Sequence, residues 1–216
     1  MPRNKYPEET VKKILDVSLR LFVENGYEQT TVLDIVNNLG GLTRGAFYHH
    51  FKSKEEVLEA IFDRRDSQNT AFEKAMKADV ATGLERVRLV LKLSLLANID
   101  SERNSAITTL AVSLMSNPRF LVEQIKSNQE VTKILVPMIE EGMADGSIKK
   151  GNAKIIADLF LLLSNFWMLP TIYPCTIEEA YEKGEVMDKI FKCLGFNVID
   201  DELEEIFTKV LTTMPW

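Results

Sequence analysis

From residue 8 onward, apolar positions recur every three or four residues, and no stretch alternates with the two-residue period of a strand. The spacing predicts an all-α chain of about ten helices. The first covers 8–25, with Val11, Ile14, Leu15, Ser18 and Phe22 on one stripe and Gly26 as a left-handed stop. Thr31 caps a short second helix over 32–39, and Asp34 three residues later completes a capping box. Gly40-Gly41-Leu42 is a turn, and Thr43 caps a third helix in which Phe47 and Phe51, four apart, share the buried face. Arg44, Tyr48 and His49 then project outward. Two short helices joined by a glycine turn, with a third helix closing their core, form a helix-turn-helix pattern.

Ser53-Lys54-Glu55-Glu56 is a further capping box, which predicts a new helix over 54–78 and a domain boundary at 53/54 without a flexible linker. Thr82 and Glu85 open a helix to about 98, followed by one over 104–115. Asn117-Pro118 starts another that reaches 144, with a kink or break expected at Pro137. Asp145-Gly146 turns the chain, and Asn152 caps a very apolar helix to 169. Thr176 and Glu179 box a helix to 194 with an interruption expected at Gly184, and 201–213 is the last. Residues 1–53 therefore read as a small helix-turn-helix domain, and 54–216 as a larger helical one.

Composition changes this picture little: 45% hydrophobic and 27% charged residues are ordinary globular values. The net charge of −6 argues against indiscriminate nucleic-acid binding. Residues 1–55 nevertheless hold eight basic against seven acidic side chains, and the remainder 18 against 25. The segment 43–54 carries Arg44, Lys52, Lys54, both histidines and no acid. No apolar leader opens the chain, and the longest apolar run, 155–169, is too short and too polar to span a bilayer. A cytoplasmic protein with no membrane partner is expected, its two cysteines reduced.

The chemistry is sparse. The only two histidines are adjacent, which excludes a His-based triad elsewhere and makes a zinc pair implausible on one helix face. No phosphate-binding glycine loop, Cys-x-x-Cys or Gly-x-Ser-x-Gly occurs, so neither an enzyme, a metal nor a cofactor is expected. Arg44 on an exposed first turn can reach a base edge. Tyr48 and His49 suit neighbouring phosphates, and Gly45, costly in a helix, makes sense where another backbone must come close. Thr31 and Lys54, each opening a helix, are further candidates for the DNA backbone.

In the larger domain Phe72, Met76, Met115, Phe120, Met138 and Trp167 are candidate walls of an adaptable apolar pocket. The helix over 152–169, apolar all round, must be covered on every side. With the last helix it is expected to form a dimer seam through Phe160, Leu163, Phe207 and Val210.

The runs Gly26-Tyr27, Thr30 to Ile35 and Leu42 to Glu55 closely resemble the TetR family of bacterial transcriptional repressors over about residues 8–60. The resemblance implies DNA-contact positions at Thr31, Thr43, Arg44, Gly45, Tyr48, His49 and Lys54. It also implies a C-terminal helical domain for ligand binding and dimerisation, and an operator complex released by a small organic ligand. Leu42 and Phe47 depart from the residues usual at their positions. The rival reading is a helical protein–protein module that binds no operator.

Overall fold

A computed structural model describes residues 7–63, 67–97, 99 and 101–213. Eleven α-helices and no strand occur among the described residues. They are α1 (Pro7–Asn25), α2 (Val32–Asn38), α3 (Arg44–His50), α4 (Lys54–Asp63), α5 (Ser67–Lys77), α6 (Gly83–Ala97), α7 (Glu102–Leu114), α8 (Pro118–Asp145), α9 (Ala153–Leu162), α10 (Ile177–Cys193) and α11 (Asp201–Thr213). The all-α class expected from the periodicity is the observed one. The helix expected over 54–78 is described as α4 and α5, with residues 64–66 outside the described ones.

The chain folds into two compact units that no single cut separates. One is Met1–Asp66 together with Glu102–Ser113, and the other is Ser67–Ser101 with Leu114–Trp216. The first thus gathers α1–α4 and α7. Ile14, Leu15 and Phe22 from α1, Ile35 from α2, Phe47 from α3, and Val57 and Ile61 from α4 are fully or almost fully buried in it. Burying a side chain of this size contributes about 1.5–3 kcal/mol, so these short helices depend on their shared core. Gly40 and Gly41 between α2 and α3 have φ of +58° and +96°, a consecutive left-handed pair that side chains with a Cβ rarely adopt.

In the second unit α8 packs on α6 and α9, and α6 also packs on α5 and α11. Gly83 and Gly142 let α6 and α8 meet backbone to backbone, since a Cβ on Gly83 would lie 2.1 Å from the Gly142 nitrogen. Phe160, Phe191 and Phe196 form an edge-to-face cluster with centroids 5.4–6.0 Å apart. Neither expected interruption breaks its helix: α8 runs through Pro137 and α10 through Gly184. Pro137 lies on the exposed side of α8, where water can take the carbonyl its missing N–H leaves free.

The apolar helix over 152–169 behaves differently from expectation. After Leu162 it widens into a π-helical turn, Leu163–Trp167. Asn128 of α8 donates its Nδ2 to the Leu161 carbonyl at 3.4 Å and accepts from Asn165 Nδ2 at 2.9 Å. A widened turn leaves a backbone acceptor short of a donor, and this buried amide supplies one.

Candidate nucleic-acid interface

The geometry of the first unit is set by two threonine caps. Thr31 Oγ1 accepts from the Asp34 N–H at 3.2 Å, and the Asp34 carboxylate accepts from the Thr31 hydroxyl and N–H in return. These bonds, the hydroxyl's first, hold the Asp34 carboxyl below its ordinary range. Thr43 Oγ1 accepts from the Ala46 N–H at 3.2 Å and so opens α3. Phe47 is fully buried and Phe51 nearly so, which anchors one side of α3.

The opposite side is open. Thr43, Arg44, Gly45, Tyr48 and His49 are all exposed. The Arg44 guanidinium lies 5.5 Å from the centroid of the Tyr48 ring, whose own edge meets Phe47. Tyr48 therefore has a packed base and a free outer surface. A Cβ built on Gly45 meets nothing closer than Thr43 Oγ1 at 3.8 Å, so this glycine answers no crowding from within the chain. His50 is half-buried; burial and the neighbouring His49 both push its pKa down. Thr31, on the exposed start of α2, keeps its side chain within its own box.

Lys54 has a different setting from these. Its Nζ donates to the Tyr27 carbonyl at 2.7 Å and the Glu28 carbonyl at 3.4 Å, and sits 4.3 Å from the centroid of the Tyr27 ring. Sequence reading quoted Tyr27 only as part of a motif and assigned it no task.

The other expected site residues scatter through the second unit. Met138 is in its core, with Phe72 and Trp167 half-buried against the same core. Met115 is buried, Phe120 is half-buried, and Met76 is 58% exposed, so the six do not form one wall. Trp167 instead borders an open depression of about 260 Å³ with Cys175, Glu179, Glu182, Lys183 and Val186. Lys183 Nζ there donates to the carbonyls of Trp167 and Tyr173.

Of the expected seam residues, Phe160 and Val210 are buried in the unit's own interior, and Leu163 and Phe207 pack half-buried against the same core. The exposed apolar side chains lie elsewhere: Ile155 and Leu162 on α9, and Tyr181 and Val186 on α10. No group of three or more metal-ligating side chains occurs among the described residues. No described helix is long and apolar enough to cross a membrane.

A capped, exposed helix carrying Arg, Tyr and His, held by a three-helix core across a glycine turn, defines the class of helix-turn-helix DNA-binding regulators. Residues 14–61 match the family described as bacterial regulatory proteins, tetR family. The fatty acid metabolism regulator protein of Bacillus subtilis is 32% identical over 148 residues, 64% of this chain and 71% of that protein. The HTH-type transcriptional repressor KstR2 of Mycolicibacterium smegmatis is 31% identical over 146 residues, 66% of this chain and 69% of that one. The solved SmeT–triclosan complex shares the fold with a TM-score of 0.62 at 24% identity, over 91% of this chain and 94% of that one. The chain belongs to the TetR family of transcriptional regulators.

Proposed function

We propose that this protein is a repressor that binds a near-palindromic DNA operator as a homodimer and leaves it when a small organic molecule binds the second unit. The observation that carries the DNA half is the open side of α3. It presents one guanidinium, one phenol and one imidazole, with clear space over Gly45 where a duplex backbone can approach. Arg44 suits a guanine edge, while Tyr48, His49 and the Thr31 and Thr43 caps suit phosphates. The curated repressor among the relatives supports the sign of regulation, and the triclosan complex supports an apolar organic ligand.

One recognition helix reads too few base pairs for an operator, and two related by a dyad read half-sites about one helical turn, roughly 34 Å, or a multiple of it apart. The seam is placed on α9 and α10. Ile155 and Leu162, seven residues apart, share one face of α9, and α10 adds Tyr181 and Val186. The far end of the chain is not suited to it: α11 buries Leu203, Ile206, Val210 and Leu211 and turns Asp201, Glu202, Glu204 and Glu205 outward.

The test is selection of duplexes from a random-sequence pool by the full-length protein, followed by binding of Arg44→Ala to the selected sequence. A palindromic consensus is expected, with a loss of about 1–3 kcal/mol for Arg44→Ala and relaxed choice at one base pair per half-site. Unchanged affinity would remove Arg44 from the interface. For release, triclosan is titrated into the complex while Trp167 fluorescence is followed in a Trp216→Phe variant. Release without a change at Trp167 would place the pocket away from that residue.

A further inference from the structure

The recognition helix ends at His50, and the next helix begins only four residues later. Whatever fixes the start of α4 therefore fixes the end of α3. Phe51 is buried between them, and the Ser53 hydroxyl accepts from the Glu56 N–H to cap α4. A second attachment comes from a distant part of the sequence. Tyr27, between α1 and α2, is 9% exposed and packs its ring edge-on to Phe22 at 5.0 Å. Its other surface receives the Lys54 ammonium, its carbonyl accepts from it, and its hydroxyl donates to the Glu55 carboxylate.

Two successive residues of α4 thus grip one tyrosine from two sides. The Lys54 ammonium has a ring face and two carbonyls as partners. A phosphate contact would have to draw it away from them, at the cost of a cation–π contact and two charge-assisted hydrogen bonds.

We infer that Lys54 is a positioning residue: it clasps Tyr27 and thereby sets the angle at which α3 is offered to DNA, instead of holding a phosphate. This rests on the operator reading above. A phosphate contact and a clasp differ in what their loss does. Losing a phosphate contact weakens every sequence alike and lowers the salt slope by about 0.9. Losing the clasp leaves the electrostatics of the interface intact but tilts the helix that reads bases. Specific binding then suffers and non-specific binding does not.

The experiment uses full-length Lys54→Met, which keeps an apolar stem over the ring, with Tyr27→Leu and the double variant. The probes are a duplex selected by the wild-type protein and an unselected pool of the same length, each over a range of salt. Expected are a roughly tenfold loss on the selected duplex, little change on the pool, and an unaltered salt slope. Lys54→Met should add nothing in the Tyr27→Leu background. Equal losses on both probes with a slope lower by about one unit overturn the inference, and so do additive effects of the two substitutions.

If affinities for both probes are unchanged once the folded fraction is allowed for, Lys54 is merely structural and the inference also falls. Should Tyr27→Leu fail to fold, the ratio of selected to unselected binding and the salt slope of Lys54→Met decide alone. A wild-type protein that enriches no duplex defeats the operator reading only. The clasp is then judged by melting, where Lys54→Met should lower the Tm by a few degrees and an unchanged Tm rejects it.

Discussion

Gly45 occupies a position where the folded chain gains nothing from the absence of a side chain. Its surroundings are open, and its φ is not among the positive ones. In a helix glycine is worse than alanine by about 1 kcal/mol. Gly45→Ala should therefore raise the Tm of the free protein by roughly 2–4 °C for a chain of this size, yet weaken the selected duplex. Calorimetry and a binding isotherm on the same preparation check both halves. A variant that is more stable and binds as well would mean that no DNA backbone comes near this residue. The chemistry at Gly45 was legible in the sequence because the cost of a helical glycine is local. The grip of Lys54 on Tyr27 was not legible: the two residues are 27 apart and meet only when α4 folds back on the α1–α2 turn.

At the scale of elements, helix ends show the same division. Thr31, Thr43, Asn152 and Thr176 cap the helices that follow them, because a cap needs only its own next three residues. The start of α6 needs more. Besides Thr82, it is held from the α8–α9 turn, where the Asp145 carboxylate accepts from the Gly83 N–H at 2.7 Å and Ser147 Oγ accepts from the Leu84 N–H at 3.3 Å. The Ser147 hydroxyl first, then the N–H groups of Gly83 and Ser147, hold the Asp145 carboxyl below its ordinary 3.8.

A carboxyl whose pKa falls on folding favours the folded state above its unfolded pKa, and that contribution is lost as pH drops through the folded value. Urea midpoints of wild type and Asp145→Asn should therefore differ at pH 7 and converge below about pH 3. A gap that stays constant across this range would show that the carboxylate's charge has no part in holding α6. Asp145-Gly146 was readable as a turn, but its partner lies 62 residues earlier.

For the whole molecule, the decisive question is which apolar surface a second copy covers. Phe160→Glu would place a charge in the Phe160–Phe191–Phe196 cluster and is expected to unfold the second unit. Ile155→Glu with Leu162→Glu alters only exposed positions, so the helical circular dichroism should persist while sedimentation shifts from dimer to monomer. Monomers should also lose cooperative binding to the selected duplex. A double variant that still sediments as a dimer would remove this face from the seam.

Periodicity, caps and glycines determined the helical class, the helix-turn-helix and its outward residues, since each is set within a few positions of the chain. The tertiary structure decided which apolar side chains are core and which are surface, because a uniformly apolar helix such as 152–169 gives no sign of which neighbour takes which side. It thus put Phe160 and Val210 inside and Ile155 and Leu162 outside. It also decided where that helix widens, through Asn128 more than thirty residues away. Contacts between residues distant in sequence exist only once the chain has closed on itself, and the partners of Lys54, Gly83 and Asn165 are all of that kind.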